Sequence, residues 1–185
     1  MANSVTGLAL AYDALQAPDA HDPGCHAQRV QPVAGVVQGA SPSLPGLKGL
    51  RIGVLNGYFD DHASAAVREV VALAARTLGA TASVSWPDAG LARAAAFIIT
   101  ASEGGSLHLD DLRTQQPCRA AMGLLTQPIS FVGCPVVTAP MWPTSTNGMP
   151  LGVQIIAAPW REDLAFAVAR QLSDAGVAHV KPAAC

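Results

Sequence analysis

Between residues 50 and 85 the chain has little conformational choice. Leu50-Arg51-Ile52-Gly53-Val54-Leu55 is a short, largely apolar run closed by Asn56-Gly57, the pattern of a buried strand ended by a turn. Asp60 and Asp61 follow, where their charge suits the positive end of a helix dipole. Ala63, Ala66, Val67, Val70, Val71, Ala74 and Leu78 then recur at helical spacing on one face, with Arg68, Glu69 and Arg76 largely off it. Gly79 is a stop signal, and Thr81 to Ser85 alternates as a second strand. Strand, helix and strand with short joints form a βαβ unit, so the two strands are expected to be parallel with a right-handed crossover.

Around this unit the other elements are read by periodicity. Ser4 to Gln16 places Val5, Leu8, Ala9, Tyr12 and Leu15 near one helical face, with Asn3 or Ser4 as N-cap. Residues 17–49 carry five prolines and no sustained period, an irregular connection long enough that it must pack over a surface. Leu91 to Gln115 reads as a helix weakened at Gly104-Gly105. Val136 to Ala139 and Leu151 to Ala157 read as strands, with Pro140, Pro143, Asn147-Gly148 and Pro150 enforcing turns between them. A last helix, Glu162 to Asp174, stacks Leu164, Val168 and Leu172 and stops at Gly176. The expected class is α/β, a mixed sheet with flanking helices and one βαβ unit.

Composition removes several functions from consideration. Net charge is −2 and aromatic residues are 5% of the chain, so neither a basic footprint nor a stacking platform for nucleic acid is present. Half of the residues are hydrophobic, which excludes a disordered tail. Two lysines, Lys48 and Lys181, are too few for a coiled coil. The greasiest stretch, Leu91 to Leu109, is interrupted by Arg93, Glu103 and His108, so no membrane span is expected. Met1 to Val5 lacks the basic start of a secretory leader. Cys25, Cys118, Cys134 and Cys185 are widely spaced without a Cys-x-x-Cys pair and read as free thiols of a reducing cytoplasm. Charged residues make up 13%, against roughly a quarter in an ordinary domain. A surface so poor in charge is expected to be partly covered, as in a fragment of a larger body or half of an assembly.

Local chemistry is sparse. His21-Asp22-Pro23-Gly24-Cys25-His26 offers ligand types for zinc, but a structural site wants a second ligand pair, and a plain turn is the better reading. Gly49, Gly53 and Gly57 precede or lie within the strand more than they follow it, which does not suit a phosphate loop, and no Gly-x-x-x-x-Gly-Lys-Ser/Thr occurs. Glu103 and His108 stand five apart, off the spacing of a helical metal pair. No Gly-x-Ser-x-Gly elbow is found. Cys134, between Gly133 and Pro135, has no linked base and reads as a small buried hydrophobe.

Longer motifs say more. Leu124 to Val137 (LLTQPISFVGCPVV) contains Thr-x-Pro, room for one helical turn, and Gly-x-Pro ahead of a strand; it resembles a segment of the amidase signature family. Gly148-Met149-Pro150-Leu151-Gly152-Val153-Gln154-Ile155-Ile156, with Pro159-Trp160-Arg161-Glu162-Asp163-Leu164, resembles the same family's C-terminal strand and last helix. Gly-x-Pro-x-Gly-x-Gln at this distance from the first motif is specific. Ser4 through Asp13, then Asp19, Asp22 and Pro23, resembles the helix and loop after the family's catalytic core. Ile99 to Gly105 with His108 and Leu112-Arg113 looks closest to the branch that includes 1-carboxybiuret hydrolase.

The resemblance implies a large α/β body around a mixed sheet and hydrolysis of carboxamide C–N bonds. In that chemistry a serine attacks the carbonyl, activated through a second serine in a cis peptide and a lysine, while backbone N–H groups hold the oxyanion. The Gly/Ser-rich segment bearing the serines, and the lysine before it, belong ahead of residue 1, and nothing here matches them. Lys48 and Lys181 stand in other segments, and a long helical insert of the family is missing near Pro117 to Ala121. No catalytic residue is therefore transferred. Thr126, Phe131, Gly133 and Cys134 are expected to form pocket wall; no metal and no cofactor are expected. The chain is read as one incomplete amidase-family domain, residues 1–185, with its junction near 116–122, inactive alone. The expected partners are a small amide substrate in the intact family, and the missing amidase portion, a small accessory subunit or a second copy; nucleic acid and membrane are not. The alternative reading is a non-catalytic α/β subunit or ligand-binding module derived from an amidase.

Overall fold

The computed structural model describes residues 1–22, 25, 30–39, 47, 49–107, 123–144 and 149–181, the side chains of 103–107 excepted. In chain order the elements are α1 (Val5–Leu15), α2 (Ala34–Val37), β1 (Gly53–Leu55), α3 (Tyr58–Asp61), α4 (Ala65–Leu78), β2 (Ala82–Val84), α5 (Ala89–Leu107), α6 (Gln127–Phe131), β3 (Val136–Met141), β4 (Leu151–Ile156) and α7 (Glu162–Asp174). The class is α/β with both kinds of strand pairing. β1 and β2 are parallel, Gly53 opposite Ala82 through Leu55 opposite Val84. β3 and β4 are antiparallel, Val136 opposite Ile156 through Met141 opposite Leu151. Among the described residues these are two separate two-stranded ribbons.

The β3–β4 ribbon organises the core because one of its faces is covered. Val137, Ala139 and Met141 alternate inward from β3, and Val153 meets them from β4. α7 lies across that face and joins two clusters. At one end Ala165, Phe166 and Ala169 pack with Ala9 of α1 and Val33 and Val37 of α2. At the other, Leu172 packs with Val70 and Ala74 of α4 and with Ala178, whose backbone bridges to Met141. Ala9, Ala74, Ala165, Ala169 and Ala178 make the core shallow, so the larger side chains carry most of its burial.

Several local expectations need correction. Leu15 does not face the core; it is 84% exposed at the end of α1. Asp60 and Asp61 do not open α4. They end α3, and α4 starts after Ser64, whose hydroxyl accepts from the Val67 N–H at 3.3 Å. Asp60 instead pairs with Arg68 at 2.9 Å. The first strand is shorter than the apolar run that predicts it and is not buried: β1 is half-exposed and β2 is exposed along its length. β3 runs on through Pro140 to Met141. α5 begins at Ala89, and the expected continuation to Gln115 lies outside the described residues beyond Leu107. Gly79 does close α4, with φ of +65°, and Ala80 N–H reaches back to the Ala75 carbonyl at 2.8 Å.

The irregular connection after α1 is anchored from two sides. The Asp13 carboxylate accepts the N–H groups of Val33 (2.7 Å) and Ala34 (2.9 Å), capping α2 from twenty residues away. Gln16 exchanges two hydrogen bonds with the backbone of Gln31. At the far end of α2 an Arg170 N–H donates to the Val37 carbonyl, a cation placed where the helix is negative. Tyr12 packs against Phe166 in this corner, the ring centroids 5.6 Å apart and the planes tilted by 52°. Burial raises its phenol above the ordinary value of 10.0, with Glu162 and Asp13 adding to the rise. The neutral phenol's contribution is thus intact below that value and is lost as pH climbs through the higher, folded-state one. In alkaline melting curves Tyr12→Phe is expected to show a flatter decline above pH 10.0 than the parent chain; superimposable curves would count against this.

Candidate functional site

The site is built from the loop before α6, α6 itself and the turn into β3. Gly123 starts it with φ of +73°, and a Cβ there would meet the Gln127 side chain at 2.6 Å, so the loop folds back tightly on the helix. The N–H of Gln127 closes this turn on the Gly123 carbonyl at 2.8 Å. Pro128 near the helix start fixes φ, and Pro128 and Ile129 are buried. α6 ends after one turn: Gly133 N–H bonds to the Ser130 carbonyl and Gly133 adopts φ of +69°, which admits the reversal into Cys134-Pro135 and β3.

Two side chains from distant segments hold the loop in place. The Tyr58 hydroxyl of α3 donates to the Leu124 carbonyl at 3.0 Å, and the Gln154 amide of β4 donates to the Leu125 carbonyl at 3.3 Å. Gln154 is the last residue of the Gly-x-Pro-x-Gly-x-Gln motif, so the motif has a mechanical meaning. Gly152 within it leaves room for the neighbouring strand, since a Cβ there would stand 2.7 Å from the Thr138 methyl. Gly152 and Gln154 sit on the ribbon face opposite the core, one making room and the other reaching across to the α6 loop. Sequence reasoning quoted Gln154 without a role and missed Tyr58. A half-buried amide inside a strand was the available signal for the first; nothing local marks the second. Gln154→Ala is expected to cost about 1 kcal/mol and to raise amide exchange at Thr126 and Gln127; unchanged exchange there would refute the tether.

The four expected wall residues fall on one short stretch of surface. Thr126 is exposed at the head of α6, its hydroxyl making no capping bond. Phe131 is exposed at the helix end, Gly133 forms the left-handed turn, and Cys134 is a half-buried free thiol at the strand entrance. The group is uncharged. It offers a hydroxyl, a thiol and an aromatic face, which can orient and shield a small polar molecule but cannot take a proton from a nucleophile at neutral pH.

Other sequence candidates resolve elsewhere. Asp19 and Cys25 form a turn: the Asp19 carboxylate accepts the His21 N–H at 2.8 Å, and the Cys25 sulfur accepts the Asp19 N–H at 3.3 Å. Among the described residues no group of three or more His, Cys, Asp or Glu could hold a metal ion; His26 lies outside them, as do His108, Lys48 and the side chain of Glu103. Lys181 sits 4.1 Å over the Trp142 ring, whose indole N–H donates to the His179 carbonyl. The Ser4 and Ser64 hydroxyls cap helices, and the Ser83 hydroxyl accepts from the Asn56 amide. No helix among the described residues is long and apolar enough to cross a membrane.

No family model matches the chain. It is 43% identical, over 98% of its length, to the 1-carboxybiuret hydrolase subunit AtzE of Pseudomonas sp. (strain ADP) and spans 54% of that protein. The match runs over 251 residues against the 185 of this chain, so the relative carries several dozen residues inside the matched stretch that have no counterpart here. Two solved structures are also similar, both of an unexpected vestigial protein complex that reveals the evolutionary origins of an s-triazine catabolic enzyme, one of them inhibitor-bound. Their TM-scores are 0.87 and 0.88, with 43% identity, and in each the chain covers 54% of the matched protein. The resemblance to the amidase signature family in its 1-carboxybiuret hydrolase branch, read first from short motifs, thus holds along nearly the whole chain, and so does the internal gap that the resemblance implies.

Proposed function

We propose that this chain is one part of an amidohydrolase that cleaves the C–N bond of small carboxamides or biuret-like substrates, and that it contributes a wall of the cleft without turning over substrate alone. One observation carries the reading. The chain is 43% identical to a hydrolase subunit over 98% of its length, while its segments around Thr126, Gly152 and Gln154 contain no activated nucleophile. Amide hydrolysis needs a nucleophile beside a base, and donors aimed at the developing oxyanion. The wall around Thr126, Phe131, Gly133 and Cys134 supplies neither, so its contribution is orientation and exclusion of water. In this reading the chain is a single incomplete amidase-family domain. The thiols at Cys25 and Cys134, both free, fit a reducing cytoplasmic setting.

The test is direct. Purified chain incubated with biuret and with simple carboxamides is expected to release no ammonia above the buffer rate. Turnover that a serine-reactive probe abolishes would overturn the reading, because the chain would then hold its own activated hydroxyl.

A further inference from the structure

We infer that Gln127 is a further substrate-binding residue of the wall: its side-chain carbonyl oxygen accepts an N–H from the carboxamide or ureido group of a bound substrate. The inference rests on the proposed function and adds the residue and the group it reads. Gln127 Oε1 is closed off from solvent and has no hydrogen-bond partner among the described residues. Such an oxygen loses its hydration on folding and gains no bond in return, so it calls for a donor that the fold itself does not supply. The donors that reach this loop are already committed to its backbone. Tyr58 serves the Leu124 carbonyl and Gln154 the Leu125 carbonyl, while the N–H groups of Thr126 and Gln127 both turn to the carbonyl of Gly123.

A matched glycine holds the amide where it is. The Gln127 side chain leans back over the preceding turn, onto Gly123. A Cβ at position 123 would stand 2.6 Å from Gln127 Cγ, 2.8 Å from Cδ and 3.2 Å from Oε1, so only a residue without one leaves that room. Thr126 precedes Gln127, and Phe131 follows it by four positions on the same helical line, which sets the amide between two of the wall residues. Gln127 as a whole is half-buried and its terminal torsion is broad, so the amide can turn its oxygen toward the wall without moving α6. The chemistry then narrows the ligand. A carbonyl oxygen only accepts, so the ligand must donate. Thr126, Phe131, Gly133 and Cys134 include no carboxylate to pair with an ammonium, and covering an unpaired cation is costly, so the donor is neutral. In amide hydrolysis that donor is the nitrogen of a carboxamide or ureido group.

The experiment titrates the full chain with biuret, acetamide and N,N-dimethylacetamide, the last of which keeps the carbonyl but has no N–H, and follows assigned NMR signals. Biuret and acetamide are expected to shift the Gln127 side-chain amide together with Thr126, and dimethylacetamide to leave both in place. Gln127→Met, a near-isostere without the acceptor, is expected to weaken biuret binding at least about fivefold, the share of one neutral hydrogen bond. The same variant is expected to melt at or above the temperature of the parent chain, because it removes an acceptor that had no partner. A clearly lower melting temperature would show that the oxygen is satisfied within the chain and would overturn the inference. So would equal shifts with dimethylacetamide, or no shift at Gln127 at the solubility limit of biuret. Biuret shifts at Thr126, Phe131 and Cys134 that persist unchanged in Gln127→Met remove this inference and leave the wall reading standing. Ammonia released from biuret by the chain alone removes the reading of a wall without turnover, whatever Gln127 does.

Discussion

Phe166→Ala is expected to lower stability by about 3–5 kcal/mol and to remove most of the chain from the soluble folded fraction. Phe166 is the large side chain in a corner otherwise built from Ala9, Ala165, Ala169, Val33 and Val37, with the Tyr12 ring against it. Small neighbours cannot collapse into the space its ring would vacate, so the cavity cost adds to the lost transfer energy. Domains of this size have only about 5–15 kcal/mol in total, and a body with an open parallel ribbon and a bare helix face is placed toward the low end. Circular dichroism and urea melting of Phe166→Ala against Phe166→Leu check this. A loss below about 1 kcal/mol for alanine would mean that the α1–α2–α7 corner does not hold the fold together.

Asp13→Ala is expected to cost about 2–3 kcal/mol, because hydrogen bonds to charged groups contribute more than neutral ones and two buried-side donors lose their acceptor together. Val33 and Ala34 N–H groups at the start of α2 have no other cap, Val33 at the N-cap position making no side-chain bond of its own. Without the carboxylate, α2 should fray and the connection from Ala17 to Pro32 should open. Limited proteolysis should then cut between residues 17 and 32, and amide exchange at Val33 and Ala34 should rise far above the average for the chain. Asp13→Asn keeps one acceptor oxygen and should fall between the parent and the alanine variant. Equal protection of α2 in all three proteins would show that Arg170 and packing alone hold it.

Much of the architecture was legible because it is written in neighbouring residues. The last helix was placed at its observed bounds by Leu164, Val168 and Leu172 at helical spacing and by the stop at Gly176. The parallel pairing of β1 and β2 followed from the helix between them. What failed was burial. Leu50 to Leu55 reads as a buried strand because an apolar run ordinarily finds cover, yet β1 is half-exposed even with α4 packed against it. Leu15 fits the periodicity of α1 but lies one turn past the point where α7 supports that helix. The turn at Asp60 and Asp61 was misread because a helix dipole attracts carboxylates wherever they stand, while a tertiary contact, Tyr58 to Leu124, set a separate short helix there. The stretch from Thr126 to Cys134 was legible as a motif and is expected to be pocket wall; Tyr58 and Gln154, which fix its position, were not legible in that role.

The sequence by itself determined the periods, the stops and the motifs that resemble the amidase signature family, because each is set by residues a few positions apart. Only the tertiary structure decided that β3 and β4 pair antiparallel with one face covered, that Asp13, Tyr58 and Gln154 hold backbone 20 or more residues away, and that α5 keeps its apolar side chains in water. Those outcomes depend on which surfaces meet, and contact between distant segments is a property of the folded body that no local pattern encodes.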